Sequence, residues 1–382
     1  MQTSVIILNW NGLSLLQQLL PGVVSHTIGE EAGTTSDGRR IADITRLVVA
    51  DNGSTDGSIE WVRSHFPQVE IIRFDTNLGY AEGYNRAIRQ TDSPFTVLLN
   101  SDVETTPGWL VPLYDFISAN PDVGAIQPKI LSFHHRDTFE YAGAAGGLID
   151  RNGFPYCRGR LFDSLEKDRG QYDGPPVDIA WASGAALMVR TEAYRKVGGL
   201  DPLFFAHMEE IDLCLRLRNA GLRVMAVTQS TVYHIGGASL PQGNPRKVYL
   251  NFRNNLLLIY KNLPRKEGRR LLFRRRLVYD TAAFLMMLLK GQWKSASAVL
   301  KAHRDFRRLR PNYTPNSPLQ TPNSSPLTTH SSPLTPNSSL PTPNSSPLTP
   351  NEPLTPNSPL LTPTSFTSRN IVVDYYLKRK KT

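Results

Sequence analysis

Acidic side chains follow two apolar segments of this 382-residue chain at the points where the segments end. Asp51 ends the first segment and Asp102 ends the second, so both are expected at the carboxyl ends of buried strands. Ligands of open α/β sheets bind in the crevice outside those strand ends. A third acidic cluster, Glu209–Asp212, and a histidine, His234, come later in the chain. Together these residues predict a sheet edge that holds a metal-bound nucleotide and presents a base to a second substrate.

The first candidate ligand for a metal ion is Asp102. Mg²⁺ prefers oxygen ligands and usually takes one or two carboxylates, with substrate phosphates and water completing its octahedron. His234 is a candidate second ligand, and an imidazole suits Mn²⁺ or another transition metal somewhat better than Mg²⁺. A lone histidine is more often structural, but Gly236 and Gly237 free the backbone beside this one and favour the functional interpretation.

Three segments offer groups that could recognise the base and ribose of a nucleotide. Asp51 can accept hydrogen bonds from a ring N–H or a ribose hydroxyl, although Asp-Asn-Gly is also a common turn sequence. Asn77 and Asn85 suit the edge of a base, and Gly79 between them allows a ligand to approach the start of a helix. Capping and helix packing are the alternative interpretation of these residues. The sequence contains neither a dinucleotide-binding fingerprint nor a P-loop.

The cluster Glu209–Asp212 begins a predicted helix and offers candidate general bases. Acidic residues are common at helix starts because they complement the helix dipole, and this is a serious alternative for Glu209 and Asp212. A carboxylate in this position also stays ionised at neutral pH, as a general base must.

Runs of β-branched residues alternate with helix-like stretches from residue 3 to about residue 240. Such alternation predicts an α/β fold with a mainly parallel sheet covered by helices. The predicted strands are 3–9, 46–51, 69–74, 95–100, 123–130, 184–190 and 222–233. The predicted helices are 13–24, 56–65, 80–90, 107–119, 191–197 and 209–220. Residues 25–45, which contain three glycines, are expected to form a long surface insertion.

The net charge of +10 is distributed unevenly along the chain. Residues 253–310 contain 16 Lys/Arg and 3 Asp/Glu, a net charge of +13, whereas residues 1–252 carry −6. Apolar runs between the basic clusters of 253–310 predict amphipathic helices. Such helices are typical of a segment that binds an anionic membrane surface. They are equally typical of a helical pair that packs on the main domain and exposes its basic face to solvent.

Residues 314–365 repeat Thr-Pro-Asn-Ser-Pro-Leu with small variations and contain no aromatic residue. This composition cannot bury enough surface to offset chain entropy, so it predicts disorder. We therefore divide the chain into an α/β domain at 1–252, a basic helical segment at 253–310, disordered repeats at 311–366 and a basic carboxyl-terminal tail at 367–382.

Several features predict the compartment. Cys157 and Cys214 are too few for a disulfide framework and fit a reducing environment. The first residues enter a predicted strand directly and lack a signal-peptide pattern. No run of eighteen uncharged apolar residues predicts a spanning helix. We therefore expect a cytoplasmic protein that attaches peripherally to the inner face of the cell membrane through residues 253–310.

Eight stretches of residues 3–255 form a larger pattern: Val5–Asn11, Val49–Ser58, Asn77–Ala81, Leu98–Asp102, Ser183–Leu187, Val197–Asp201, Glu209–Arg216 and His234–Ser239. In order and spacing this pattern resembles family 2 glycosyltransferases of the GT-A fold. Within that family it is most similar to the bacterial rhamnosyltransferase-like enzymes of cell-surface polysaccharide synthesis. Each stretch alone is unspecific, but jointly they are highly specific.

The resemblance implies an inverting transfer of a sugar from a nucleotide-diphosphate donor, usually dTDP-rhamnose in this branch, to a glycan or lipid-linked acceptor. It implies that Asp51 binds the nucleotide base, that Asp102 is the metal-binding end of the D-x-D motif, and that His234 contacts the metal or the diphosphate. It places Glu210 as the general base and implies a divalent cofactor, Mg²⁺ or Mn²⁺. The other candidates are Asn9, Asn77, Gly79, Asn85 and Ser101 for the donor nucleotide, and Trp181, Gly184, Glu209, Asp212 and Arg253 for the acceptor or for support of the site.

The chain departs from the family pattern at two positions. Asn100 replaces the first Asp of the D-x-D motif, which removes one carboxylate ligand. Glu210 replaces an Asp as the base and is one methylene longer, so its reach towards the acceptor differs while its chemical type does not.

Two other functions compete with sugar transfer. A sugar-nucleotide pyrophosphorylase also carries an Asp at a strand end, but it needs a basic residue in the loop after the first strand, and Asn9–Gly12 contains none. A non-catalytic scaffold could bind a membrane or nucleic acid through 253–310. That segment has few aromatic residues for base stacking, and the acidic remainder repels phosphates, so we expect no nucleic-acid partner.

Overall fold

The computed structural model of the protein describes residues 1–236, 244–313, 367–372 and 375. Its strands are β1 (Thr3–Asn9), β2 (Thr45–Asp51), β3 (Glu70–Arg73), β4 (Phe95–Asn100), β5 (Val103–Thr105), β6 (Val123–Ser132), β7 (Gly147–Ile149), β8 (Pro155–Cys157), β9 (Arg160–Leu161), β10 (Ser164–Leu165), β11 (Val177–Asp178), β12 (Ala186–Arg190) and β13 (Arg223–His234). Its helices are α1 (Leu13–Ile28), α2 (Ile41–Ile44), α3 (Ser58–His65), α4 (Gly79–Arg89), α5 (Leu110–Ala119), α6 (Thr191–Lys196), α7 (Glu209–Asn219), α8 (Pro245–Asn262), α9 (Arg265–Arg274), α10 (Thr281–Leu289) and α11 (Trp293–Leu309).

The main sheet has the strand order β11–β13–β6–β12–β4–β1–β2–β3, and β5 pairs with β13. Strands β4, β1, β2 and β3 run parallel, as do β6 and β13, whereas β12 runs antiparallel to both of its neighbours. The apolar runs of β1, β2 and β4 are buried on both faces, as expected for parallel strands covered by helices. The register pairs Asn9 with Asp51 and Leu8 with Asn100, so the polar ends of three strands meet at one edge.

The predicted strands and helices of residues 3–234 are all present, with ends that differ by up to four residues. The predicted surface insertion at 25–45 is more ordered than its glycines suggested. Helix α1 continues to Ile28, α2 begins at Ile41, and the side chains of Ala32 and Ile41 are buried in the core beneath the sheet. These two apolar residues anchor the segment, which explains the difference.

A second, four-stranded sheet in the order β10–β9–β8–β7 was not predicted. Its strands have two or three residues, too few to give a readable alternation of apolar and polar positions. It is attached to the main domain through Trp181, whose indole N–H donates to the Leu148 carbonyl at 3.0 Å.

The predicted basic segment 253–310 is helical, but its predicted start at residue 253 lies inside α8. The side chains of Arg253, Asn254, Lys261 and Asn262 on this helix are buried, since they bond to the loop before α7 or to α7 itself. The first helix of the basic segment is therefore packed as part of the α/β domain.

Part of the predicted carboxyl-terminal tail docks on the second sheet. The Thr367 N–H donates to the Ile149 carbonyl at 2.9 Å, Ile371 is fully buried, and the Tyr375 ring lies 5.0 Å from that of Phe162. The prediction of disorder for 311–366 is wrong at its start, because Arg310–Asn312 form a helical turn and the Tyr313 hydroxyl donates to Asp201 Oδ2 at 2.8 Å. Residues 314–366 lie outside the described residues, as do 237–243, 373–374 and 376–382. Among the helices that the structure describes, none is both long and apolar enough to cross a bilayer.

Candidate active site

The floor of the candidate site is formed by Asn9 and Asp51 at the ends of β1 and β2. The Asn9 amide donates to Asp51 Oδ1 at 3.3 Å, to Ser54 Oγ at 3.1 Å and to Ser58 Oγ at 2.9 Å. The Ser54 N–H donates to Asp51 Oδ2 at 3.2 Å. Asn9 and Asp51 are fully buried, and Asn9 Oδ1 is a buried acceptor that has no partner among the described residues. The predicted base-binding carboxylate is therefore held rigidly within a polar network.

The loop before α4 is tied to this floor through Asn52. The Asn52 amide donates to Asn77 Oδ1 at 3.1 Å and to the Gly79 carbonyl at 3.1 Å, and its oxygen accepts from Leu78 N–H. Asn77 is exposed, and Gly79 has φ +77° with open space where a side chain would lie. Both predicted donor-binding residues thus lie at the surface of the helix start, where a ligand has access.

Asn85 has a different environment from the one predicted. Its amide donates to the Leu200 carbonyl at 2.8 Å, and its oxygen accepts from Tyr194 Oη at 2.6 Å and from Leu200 N–H at 3.0 Å. The side chain is buried between α4 and the loop after α6. Because these bonds occupy both ends of the amide, the geometry favours a packing role for Asn85 over contact with a nucleotide.

A buried cluster of opposite charges lies where β4 and β13 end. His234 Nε2 lies 3.1 Å from Asp102 Oδ1, and His234 Nδ1 lies 3.3 Å from Glu140 Oε2. All three side chains are less than 10% exposed. Glu140 was not predicted from the sequence, since it belongs to no motif and reaches His234 only through the fold.

The charges of this cluster stabilise one another. Burial alone would lower the pKa of His234, but hydrogen bonds and charge interactions with Asp102 and Glu140 outweigh it and raise that pKa to about 10. Burial would raise the pKa of Asp102, but the hydrogen bond and charge of His234 hold it below its ordinary value. The imidazole is therefore protonated and Asp102 ionised at neutral pH.

The same two atoms fit a divalent cation. Adjacent ligands of an octahedral ion with bonds of 2.0–2.1 Å lie about 3 Å apart, which is the separation of His234 Nε2 and Asp102 Oδ1. Binding would require the imidazole to give up its proton. Among the described residues, no three or more His, Cys, Asp and Glu side chains form a complete cage, so substrate oxygens or water would supply the remaining ligands.

Glu210 lies beside Gly184, which is also in contact with Tyr80. The Tyr80 hydroxyl donates to the Gly184 carbonyl at 2.8 Å. A Cβ at Gly184 would lie 2.6 Å from Tyr80 Oη and 3.6 Å from Glu210 Cβ, so only glycine fits there without displacing Tyr80. Tyr80 was not predicted as a site residue, although it follows Gly79 in a matched stretch.

The pKa of Glu210 is shifted in the opposite direction from the pKa of Asp102. Burial raises the pKa of Glu210 to about 7, and the backbone N–H groups at the start of α7 only partly offset this. Burial, and then the charge of Glu210, raise the pKa of Glu209 well above its ordinary value, and Glu209 Oε2 is buried with no partner in the part of the chain that the structure describes. Of the two, Glu210 is the half-buried residue and the one that titrates near neutral pH.

Contacts between the strand ends join the Asp102 cluster to Glu210. The Asn100 N–H donates to the Ala185 carbonyl at 2.9 Å, which places the segment leading to Asp102 next to Gly184. Burial raises the pKa of the Cys157 thiol and Arg160 lowers it, while the charges of both Glu140 and Glu210 add to the rise. Asn100, two residues before Asp102, and Glu210 therefore both lie next to the segment Gly184–Ala185.

Three predicted support residues are occupied by structural contacts. Asp212 is fully buried and accepts from Arg216, Lys261 and Asn262 at 2.8–2.9 Å. Trp181 is buried beneath the second sheet, where its N–H is bonded to the Leu148 carbonyl. Arg253 donates to the Leu203 and Phe204 carbonyls and to Asn254 Oδ1. These contacts favour support of the site over contact with an acceptor.

Ser101, a predicted donor-binding residue, is half-buried, with its Oγ 3.9 Å from where a Cβ at Gly12 would lie.

Residues 4–197 match the family described as Glycosyl transferase family 2. The chain belongs to this family. The family 2 chain is 31% identical over 206 residues to the N-acetylglucosaminyl-diphospho-decaprenol L-rhamnosyltransferase of Mycobacterium tuberculosis, an alignment that covers 49% of this chain and 66% of that protein. It is 27% identical over 231 residues to the low-salt glycan biosynthesis hexosyltransferase Agl10 of Haloferax volcanii, covering 57% and 68% of the two chains. These relatives confirm the predicted resemblance to rhamnosyltransferase-like members.

Solved structures confirm the predicted GT-A fold of this family 2 chain. GalNAc-T7 with UDP, GalNAc and Mn²⁺ gives a TM-score of 0.53 at 16% identity, covering 70% of this chain and 49% of that one. Residues 1–349 of S. aureus TarS with UDP-GlcNAc give a TM-score of 0.50 at 16% identity, covering 81% and 86%. At such low identity the likeness shows the fold alone.

The contact between Gly184 and Tyr80 predicts a coupled pair of substitutions. Gly184→Ala should lower the free energy of unfolding by about 1–3 kcal/mol, because the new methyl group meets the Tyr80 hydroxyl. Tyr80→Phe should cost about 1 kcal/mol through the lost hydrogen bond. In the double variant the clash is absent, so its loss, measured by chemical denaturation, should be smaller than the sum of the two single losses. Additive losses would show that the two side chains do not meet.

Proposed function

We propose that this chain transfers a sugar, with rhamnose as the leading candidate, from a nucleotide-diphosphate donor to a hydroxyl group of a glycan or lipid-linked acceptor, with inversion at the anomeric carbon. One observation carries the proposal: the ionised Asp102, with His234, and the half-buried Glu210 flank the same edge of the sheet. The matched family, and relatives named for rhamnosyl and hexosyl transfer, support it.

In this mechanism Glu210 is the general base. Its carboxylate accepts the proton of the acceptor hydroxyl while that oxygen attacks the anomeric carbon from the face opposite the diphosphate. A single displacement of this kind inverts the configuration and needs no covalent enzyme intermediate. A carboxylate whose pKa is near 7 suits this task, because a general base is most effective when its pKa lies near the working pH.

The leaving diphosphate would be held at the opposite side of the cleft. Asp102 and His234 would hold a divalent cation, which would supply charge stabilisation for the departing diphosphate. The proposed ion is Mg²⁺ or Mn²⁺, and a neighbour of the same fold was solved with UDP, GalNAc and Mn²⁺. Asp51 and Asn9 at the floor, Asn77 and Gly79 at the start of α4, and Ser101 would contact the nucleotide.

The helices after α8 support attachment of the protein to a membrane surface. Phe273, Leu277, Leu289 and Trp293 are 62–89% exposed, although they are large and apolar. Isolated exposed apolar residues are ordinary, but these four all fall within residues 273–293, and such a concentration supports an interaction surface. Exposed cations flank them: Arg269, Arg270, Arg274, Arg276, Lys290 and Lys294. This combination fits an anionic leaflet, and attachment there at the inner face of the cell membrane would bring the site to a lipid-linked acceptor.

Glu210→Gln should lower kcat by about 10²–10⁴-fold and leave the affinity for the donor nearly unchanged, because the amide cannot accept the proton. In the wild-type protein kcat should fall as the pH drops through about 7, since protonation removes the base. The variant should lack this dependence. Steady-state kinetics between pH 5 and pH 9 provide the measurement. Wild-type turnover by the Gln variant would remove Glu210 from the role of base.

Asp102→Asn should weaken Mn²⁺-dependent donor binding by at least about 10-fold, because even the partners of metal ligands contribute about 10–100-fold to metal affinity. Titration calorimetry of a nucleotide sugar with and without Mn²⁺ measures the effect. Asp122→Asn is the matched control, since Asp122 pairs with Arg223 at the amino-terminal end of β6. Equal Mn²⁺ dependence in all three proteins would exclude Asp102 as a ligand.

Leu289→Asp should reduce co-flotation with vesicles that contain anionic lipids, because Leu289 is 89% exposed on α10 and a carboxylate is repelled by the surface. Leu165→Asp, an exposed leucine on the second sheet, serves as the control and should float like the wild type. Flotation should also weaken as salt shortens the Debye length from about 8 Å at 0.15 M to about 3 Å at 1 M. Recovery of the wild-type protein in the soluble fraction at low salt would contradict attachment.

A further inference from the structure

The loop that leads into Glu210 has a costly backbone conformation. Phe205, His207 and Met208 all have left-handed φ angles, of 65°, 68° and 73°. Side chains larger than glycine rarely adopt such angles, and strain of this kind persists only where the surrounding structure enforces it. Met208 is the residue that directly precedes α7, so the strained segment sets the direction in which α7 and Glu210 begin.

One side chain of α8 bonds to most of this loop. Asn254 is fully buried, and its amide nitrogen donates to the carbonyls of Phe204 at 3.0 Å, Ala206 at 2.9 Å and His207 at 2.7 Å. Three acceptors share the two protons of one amide group. These bonds satisfy the carbonyls that the left-handed residues turn away from ordinary helix or strand partners.

Arg253 fixes the orientation of that amide. Its Nε donates to Asn254 Oδ1 at 2.8 Å, so the Asn254 nitrogen must face the loop. Its Nη2 donates to the Leu203 and Phe204 carbonyls, both at 2.9 Å. The pair Arg253 and Asn254 therefore contacts four of the five carbonyls from Leu203 to His207.

The same helix fixes α7 at a second point. Lys261 donates to Asp212 Oδ2 at 2.9 Å and to Asp201 Oδ2 at 2.6 Å, and Asn262 donates to Asp212 Oδ1 at 2.9 Å. Asp212 lies two residues after Glu210. With the loop held on one side of Glu210 and Asp212 held on the other, α8 determines where the start of α7 lies.

We propose that Asn254, oriented by Arg253, is a positioning residue that holds the strained loop Leu203–Met208 and thereby sets the position of Glu210 beside Gly184. This role rests on the proposed function of Glu210 as the base, and it adds that helix α8 sets the position of that base. A loop that served only to connect α6 with α7 could relieve its strain by glycine at these positions. The retained side chains, and the buried amide that holds them, indicate a conformation maintained for the site.

The test compares two adjacent, buried asparagines on α8. Asn254→Ala removes the three bonds to the loop. Asn255→Ala removes one bond, at 2.7 Å, to the Gly153 carbonyl in the second sheet, and serves as the matched control. Asn254→Ala should lower kcat by about 10–100-fold, because small misplacements of a reacting group cost up to about 10²-fold, and should change the KM for the donor by less than about threefold. Asn255→Ala should retain the wild-type kcat.

The pH profile separates positioning from general loss of stability. The titratable groups that interact electrostatically with Glu210 are Glu209, Tyr80, Cys157 and Cys214, and burial raises the pKa of Glu210 to about 7. If the loop loosens in Asn254→Ala, water reaches the carboxylate and the apparent pKa of kcat should fall towards the ordinary value of 4.5. A variant that is merely less stable would keep the wild-type profile at temperatures where it is folded.

Folded Asn254→Ala with unchanged kcat and pH profile would overturn the inference, and so would equal losses of kcat in Asn254→Ala and Asn255→Ala. If Asn254→Ala does not fold, Arg253→Lys decides, because one ammonium group cannot hold both the amide oxygen and the two carbonyls. A lowered kcat with an unchanged donor KM would then support the inference, and wild-type kinetics would overturn it. If Glu210→Gln keeps full activity, Glu210 is not the base and that part of the proposed function fails, whatever Asn254→Ala does, so the two failures are distinguishable.

Discussion

The buried imidazole of His234 lies 3.1 Å from Asp102 and 3.3 Å from Glu140, and it holds the pKa of Asp102 below its ordinary value. Without a cation beside it, burial would drive Asp102 towards the neutral form. Strand β13 pairs with β5 up to His234, and β5 begins directly after Asp102. The imidazole therefore lies against the Asp102 carboxylate. The carboxylates of Asp102 and Glu140 lie 3.1 and 3.3 Å from the imidazole of His234. A divalent cation could bind there once the imidazole loses its proton.

Glu210 depends on the opposite condition: among the residues that the structure describes, no cation compensates its burial, and its pKa rises to about 7. One edge of one sheet therefore carries an acidic group that stays ionised and another that titrates near neutrality. Such a separation of pKa values between neighbouring carboxylates divides the work of a site between charge binding and proton transfer. The division depends on α8, since Asn254 holds the loop before Glu210 and Lys261 holds Asp212 after it.

The sequence predicted the elements of the α/β domain well because long, β-branched runs alternate with helical periods there. It predicted Asp51 and Asp102 as strand-end residues for the same reason. It missed Glu140, and it offered no sign that the asparagines of α8 contact the loop before α7, because those contacts join residues about 50 positions apart in the chain. Asn85 was assigned to the nucleotide because an amide suits a base edge, whereas in the fold its amide is bonded to Tyr194 and Leu200. Residue type indicates what a side chain can bond to, and only the packing decides which partner it meets.

Diffraction from crystals soaked with Mn²⁺ and a nucleotide sugar, recorded at the manganese absorption edge, tests the central claim most directly. The account predicts an anomalous peak within coordination distance of Asp102 and His234, with the diphosphate on the ion and the anomeric carbon turned towards Glu210. An ion bound elsewhere, or a sugar whose reactive face points away from Glu210, would contradict it.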